Sequence, residues 1–292
     1  MCGSLSDQAP PKKRVTPGSL FFAAVVVAVV QLGSIVITSL NGPVYSTIVA
    51  STGPSYAPAG SSATGSVLNA IFLVASAFVL TLGLVWLLRR KKVTSFKVIV
   101  FASVAFSGFI LTLVTADDFA VQYLPAALEN PFSFGGATVV VLLLAYIIFV
   151  KNSPWLSTAV LAFVGAEVGS FFAETLPPWT ALALPIAFSV YDIYAVFRGP
   201  LKALIGTAPN VALVGMSIKA GEFTLGLGVV VFYTLLPSLA YYQWGIVQSL
   251  YTVVAIDVGM VMTLFLLSKR RLLPGLPIPM LLGISAIAFR ML

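Results

Sequence analysis

The sequence predicts an all-α polytopic membrane protein with nine transmembrane helices. Three observations lead there. Of 292 residues, 59% are hydrophobic and 9% charged, whereas an ordinary soluble domain carries about a quarter charged residues. The apolar residues come in long runs free of charge, as membrane spans require. The 16 Lys and Arg residues stand almost entirely in short clusters between those runs, the pattern that orients a chain in a bilayer.

The first run, 18–40, follows Lys12, Lys13 and Arg14. It is longer than the roughly 7–15-residue core of a cleaved signal peptide and has no convincing cleavage site, so it predicts a retained helix. A charge-free stretch rich in Ser, Gly, Pro and Ala continues to about Gly65 and reads as a loop. Helices follow over 66–88 and 97–115. Residues 119–134 contain Pro125, Asn130 and Pro131 and read as a loop. Three more helices cover 135–150, 155–176 and 179–197. The stretch 203–220 is only moderately apolar and is interrupted by Gly206, Pro209 and Asn210, which predicts a surface or partly embedded connector. The last three helices cover 222–242, 246–267 and 273–292. The domain plan is a 1–17 tail and a single nine-helix domain over 18–292. Helices one to six occupy about 18–197, the connector 198–221, and helices seven to nine about 222–292.

Nine spans with the N-terminus inside place segments 1–17, 89–96, 151–154, 198–221 and 268–272 on the cytoplasmic side. Together with the adjacent helix end at Lys97, they hold 15 of the 16 Lys and Arg residues, Arg290 being the exception. Asp117, Asp118 and Glu129 fall on the other side. The positive-inside rule therefore predicts an N-in, C-out topology. The net charge of +7 is accounted for by topology. No run of interleaved basic and aromatic residues offers a groove for nucleic acid, so the expected surroundings are the lipid bilayer and no nucleic acid.

The absence of histidine and the presence of one cysteine, Cys2, exclude Ser-His and Cys-His catalysis, zinc sites of the His/Cys type and an internal disulfide. No metal or cofactor is expected. An ionisable group at bilayer depth is costly and marks a functional candidate. Four acids qualify: Glu167 and Glu174 in the fifth predicted helix, Asp192 in the sixth and Asp257 in the eighth. Glu167 and Glu174 are seven residues apart, hence on one helix face about 10 Å apart. Glu174, just before Pro177 and Pro178, is expected at the outer interface beside water. For Glu167 and Asp257 an interhelical hydrogen bond and a functional role are both open.

Three motifs narrow the reading. Residues 188–202 read Phe-Ser-Val-Tyr-Asp-Ile-Tyr-Ala-Val-Phe-Arg-Gly-Pro-Leu-Lys, with Tyr191 and Asp192 inside the sixth helix. Residues 225–233 read Leu-Gly-Leu-Gly-Val-Val-Val-Phe-Tyr at the seventh. Residues 273–278 read Leu-Pro-Gly-Leu-Pro-Ile at the ninth. The first resembles the Tyr-Asp motif of presenilins. The second resembles the family's Gly-x-Gly-Asp motif, with Gly226, Leu227 and Gly228 in place. The third is similar to its Pro-Ala-Leu-Pro segment, carried here by Pro274, Gly275, Leu276 and Pro277 with glycine in place of alanine. Each motif alone is weak. Three in the right order on helices six, seven and nine form a specific signal, confined to the last hundred or so residues.

The resemblance implies a presenilin-like fold and an intramembrane aspartic endopeptidase acting on transmembrane peptide substrates or membrane-protein clients. In the family, two aspartates on helices six and seven share a proton and activate water. Signal peptide peptidases carry similar motifs but cross the membrane in the opposite direction, so the charge pattern favours the presenilin-like branch. The short connector lacks the long insertion of animal presenilins and points to a compact microbial relative in a prokaryotic cell membrane. Asp192 takes the place of the first catalytic aspartate. The second position, however, is Val229, and valine neither activates water nor polarises a carbonyl. The chain thus reads as an impaired enzyme or pseudo-protease, or as one carrying an introduced inactivating change. Glu222, seven residues earlier on the same predicted helix, is about 10 Å nearer the cytoplasm. Gly226 and Gly228 are expected to permit close helix approach, and Pro274 and Pro277 to leave backbone groups unpaired. Asp192 and Val229 should be neighbours, with Pro274–Pro277 bordering the same cavity. A different class also fits the acids: a proton- or cation-conducting protein using Glu167, Asp192 and Asp257 as a relay.

Overall fold

In a computed structural model, the described residues are 16–53, 57–151, 153–198, 215–269 and 273–291. The Lys12–Arg14 cluster, residues 199–214 of the connector and residues 270–272 lie outside them. Among the described residues, the fold is made of nine α-helices and one short hairpin. Helix α1, Pro17–Thr52, starts where Thr16 accepts the amide of Ser19 and Pro17 fills the first turn, a cap suited to a chain leaving water. It runs twelve residues past the predicted end at Leu40, through Asn41, Gly42 and Pro43. Packing overrides these breakers: the Asn41 amide donates to Thr115 Oγ1 at 3.0 Å, and Tyr45 meets Phe171 edge to face. Helix α2, Ala63–Arg89, is capped by Ser62, and Lys91 at φ 56° turns the chain tightly into α3, Val93–Tyr123.

The predicted loop over 119–134 is instead mostly helical. Helix α3 continues to Tyr123, and α4, Ala126–Ala145, contains Pro131. In lipid an unpaired peptide group costs several kcal/mol, so a chain stays helical where water would release it. A π-helical turn, Tyr146–Val150, extends α4. Helices α5, Pro154–Thr175, and α6, Pro178–Phe197, each begin with proline in the first turn.

The described end of the connector is a hairpin. Strand β1, Ser217–Ala220, pairs antiparallel with β2, Phe223–Gly226, in the register Ile218↔Leu225 and Lys219↔Thr224. Residues 222–226, predicted as helix, therefore belong to the hairpin, and Glu222 lies exposed in its turn. Helix α7, Leu227–Trp244, starts directly from β2. Gly245 at φ 83° separates it from α8, Ile246–Lys269. Helix α9, Pro277–Met291, begins four residues later than predicted, after a non-helical segment over 273–276.

Helix α7 packs against α1, α5, α6, α8 and α9, while α3 pairs with α4 and α2 with α6. Among the described residues, seven helices are long and apolar enough to cross a membrane: α1 to α6 and α8. The protein is an integral, multi-pass membrane protein. Helix α7 is surrounded by protein, and its buried run Phe232–Ala240 includes Tyr233, Thr234, Pro237 and Ser238. Small residues set the closest helix contacts. A Cβ on Gly169 of α5 would strike Thr234 Oγ1 and the Val231 carbonyl of α7, and one on Gly259 of α8 would strike Pro279 of α9.

Candidate functional site

The site grows out of a defect in α9. Pro274 and Pro277 have no backbone N–H, and each biases the residue before it away from helical backbone, so α9 starts only at Pro277. Leu276 acts as the N-terminal cap: its carbonyl accepts the Met280 amide at 3.0 Å, while its own N–H has no intrahelical acceptor. Asp192 of α6 supplies one. Its Oδ2 accepts the Leu276 amide at 3.0 Å. One residue earlier, the Gly275 carbonyl accepts the hydroxyl of Tyr233, on α7, at 2.8 Å. Two helices thus hold adjacent residues of the segment through one hydrogen bond each.

Val229 closes the arrangement. A Cβ placed on Gly275 would lie 3.5 Å and 3.7 Å from its two methyl carbons. Asp192 and Val229 therefore border successive residues of the same segment. A turn away, Phe188 of α6 and Phe232 of α7 bring their ring centroids to 4.7 Å. The segments singled out in the sequence meet at one place.

Other residues have distinct roles. Tyr191 points away from Leu276, donating to Thr81 Oγ1 of α2 at 3.2 Å and packing edge to face on Phe78 and Phe188. The Leu227 amide donates to the Met216 carbonyl at 2.8 Å, which fixes the hairpin to the start of α7. The expected close helix approach at Gly226 and Gly228 is not found. A Cβ on Gly226 would meet only Val229, at 4.0 Å, and one on Gly228 would meet nothing within 4 Å. Both residues lie where hairpin turns to helix, and the α5–α7 contacts that need glycine are at Gly165 and Gly169. Pro274 is buried, and Pro277 opens α9. Glu222, exposed in the hairpin turn, is not on the helix that would carry it towards Asp192.

Tyr233 was missed by sequence reasoning. An aromatic residue in an apolar helix reads as core, and only its position one turn after Val229, on the same face, could have drawn attention to it.

The remaining acids fall into two groups. Tyr233 lies within electrostatic reach of both Asp192 and Asp257. Glu167 and Glu174 belong instead to a seam between α1, α3 and α5. Glu167 accepts Thr112 Oγ1 at 3.0 Å, and Glu174 accepts Ser170 Oγ at 3.0 Å. Ser170 is itself 2.6 Å from Thr38 Oγ1. Glu174, expected at a watery interface, is 2% exposed, because α1 runs on beyond Leu40 and packs against the end of α5, Tyr45 meeting Phe171. Along α1, Thr38, Asn41 and Tyr45 face this seam, through Ser170, Thr115 and Phe171, whereas the buried Ser34 one turn earlier turns to α7, meeting the Thr234 carbonyl and Ser238 Oγ. Among the described residues, no group of three or more His, Cys, Asp or Glu is placed to hold a metal ion.

The family pattern described as Presenilin matches residues 14–212 of the chain, which includes Asp192 and ends before Gly226. Presenilin-B of Dictyostelium discoideum is 39% identical over 120 residues, 37% of this chain; the match spans a quarter of that relative's length. Two solved structures of a presenilin family intramembrane aspartate protease, in C222 and P2 crystals, share the fold. The first has a TM-score of 0.62 at 20% identity, covering 92% of this chain and 97% of the other. The second has a TM-score of 0.60 at 21% identity, covering 91% and 96%.

Proposed function

The chain belongs to the presenilin family, and from that premise we propose that it is an intramembrane aspartyl protease homologue whose dyad is reduced to Asp192. One observation carries this reading: Asp192 accepts the Leu276 amide while Val229 packs against the neighbouring Gly275. The position expected of a second carboxyl borders the same segment as Asp192 and is occupied by Val229, which supports the reading. Acid–base catalysis on a peptide bond needs one group to take a proton from water and another to polarise the carbonyl. Asp192 alone does only one of these.

What survives is the means to receive a transmembrane segment. Strand β2 runs directly into Gly226 and α7. On the other strand, Thr158 Oγ1 accepts the Lys219 amide at 2.9 Å. Among the described residues the sheet has two strands, so β2 has no strand on its other edge, where an extended peptide can add. The substrate class is therefore membrane-embedded peptide, met in an N-in, C-out protein of a prokaryotic cell membrane.

The test is cleavage of a model transmembrane substrate by the reconstituted protein, by Val229→Asp, and by Val229→Asp combined with Asp192→Asn. Restoring the second carboxyl should raise the rate at least about 10²-fold, the usual contribution of one acid–base group. Adding Asp192→Asn should abolish the gain. Rapid cleavage by the unaltered protein would overturn the reduced-dyad reading.

A further inference from the structure

A large apolar groove lies on the far side of α1 from α7's site face. It has a volume of about 760 Å³ and runs between α1 and α5, from Phe22 to Leu40 on α1 and from Trp155 to Ala166 on α5. Eighteen residues of helix rise about 27 Å, close to the 30 Å hydrocarbon thickness of a bilayer. Its floor is left open by Gly33, where a Cβ would meet nothing within 4 Å. Only two lining residues, Thr115 and Thr158, carry hydroxyl groups.

The ends of the groove differ. At the α5 N-terminal end, Phe22 and Trp155 meet edge to face with ring centroids 6.1 Å apart, and Trp155 is 74% exposed. Tryptophan at that level suits a headgroup boundary, with the ring in hydrocarbon and the N–H in polar surroundings. Thr158 is bonded to the backbone of Lys219 in both directions, at 2.9 Å and 3.3 Å. This places the exposed Lys219 at the mouth, with the exposed Lys151 four residues before Trp155 and Glu222 in the adjoining turn. The end is basic, and it lies on the side of the chain that carries nearly all its Lys and Arg.

We propose that this groove is a binding site for an anionic glycerophospholipid, with acyl chain along α1 and α5 and phosphate beside Lys219 and Trp155. A helix is the obvious rival occupant. A helix 10–12 Å across and 27 Å long fills about 2000 Å³ or more, well beyond the groove, whereas chains one methylene wide enter it. Basic side chains at the membrane surface attract anionic headgroups, which selects the lipid class.

The full-length protein is placed in nanodiscs of phosphatidylcholine and phosphatidylglycerol at 4:1 by composition, released, and its retained lipid measured by native mass spectrometry. Phosphatidylglycerol should be enriched over its share of the disc. Gly33→Phe fills the open floor without meeting protein and should lower retention about tenfold, the worth of one lost large apolar contact. Val29→Trp does the same from a residue that is 62% exposed and serves if Gly33→Phe does not fold. Lys219→Glu should remove the enrichment while leaving total lipid unchanged. Unaltered retention in both groove-filling variants overturns the site. Enrichment that persists in Lys219→Glu overturns the anionic assignment, and a lipid-free dimer shows a second copy as the occupant and overturns both.

Discussion

Asp192 can be tested for its structural duty separately from any chemistry. In Asp192→Ala the Leu276 amide loses its acceptor, a hydrogen bond of 3.0 Å between α6 and the non-helical segment. Leaving a largely buried donor unmatched costs about 1–3 kcal/mol. Taking about 2 kcal/mol, and the 2–4 °C per kcal/mol typical of chains of 150–250 residues, the unfolding midpoint should fall by about 4–8 °C. Asp192→Asn keeps an oxygen that can accept the same N–H and should fall much less. Tyr233→Phe removes the hydrogen bond to the adjacent Gly275 carbonyl. Because both bonds pin one short segment, the double variant should depart from additivity by at least about 0.5 kcal/mol. The assay is thermal unfolding of the purified protein in one detergent, followed by intrinsic fluorescence and by protease sensitivity between α8 and α9. Equal midpoints for the Ala and Asn variants, or strict additivity with Tyr233→Phe, would refute the idea that the carboxyl fastens this segment.

Gly169→Ala should destabilise by about 2 kcal/mol or more, since the new methyl meets the Val231 carbonyl and Leu235 amide at 2.8 Å and 2.9 Å and backbone cannot yield. Gly33→Ala, facing open space, should be neutral or slightly stabilising in the same melt. For topology, single cysteines at Lys91 and Asn130 in a Cys2→Ser background should label from opposite sides. A membrane-impermeant maleimide on intact cells should reach position 130 and leave 91 untouched. The reverse pattern would overturn the N-in orientation.

The spans were legible because lipid imposes the apolar runs that betray them. The errors have a common origin. Asn, Gly and Pro near 41–43 and 125–131 are stop signals learned from water, where a freed carbonyl finds a solvent partner. In the bundle the helix persists, and side chains such as Asn41 find Thr115 instead. The hairpin failed for the opposite reason. Phe223 and Leu225 are apolar, but they alternate with exposed Thr224 and Gly226, a two-residue period too short to stand out beside a long apolar run. At the site, motif order brought Asp192, Val229 and Gly275 together on paper. It could not reveal Tyr233, whose partner is 42 residues away and is available because Pro279, four residues on, has no N–H to donate to the Gly275 carbonyl.

The valine at 229 also bears on how the site has been kept. If the cavity had been rebuilt around it, the flanking residues should have closed on the space a carboxylate needs. They have not. A Cβ on Gly228 would meet nothing within 4 Å, one on Gly226 would lie 4.0 Å from the valine, and an alanine at 275 would sit in ordinary contact with the valine methyls at 3.5 Å. Glycine at 275 is thus not a steric consequence of valine at 229. Asp192 is fastened by a backbone amide and Gly275 by Tyr233, so neither anchor uses the side chain at 229. An architecture held by backbone groups can lose one carboxyl without losing the position of the other. That independence is why a single change at 229 is a fair test: two carboxylates bordering one segment in a low-dielectric site repel one another. The restored pair would therefore favour holding one negative charge and one proton, the arrangement that water activation requires.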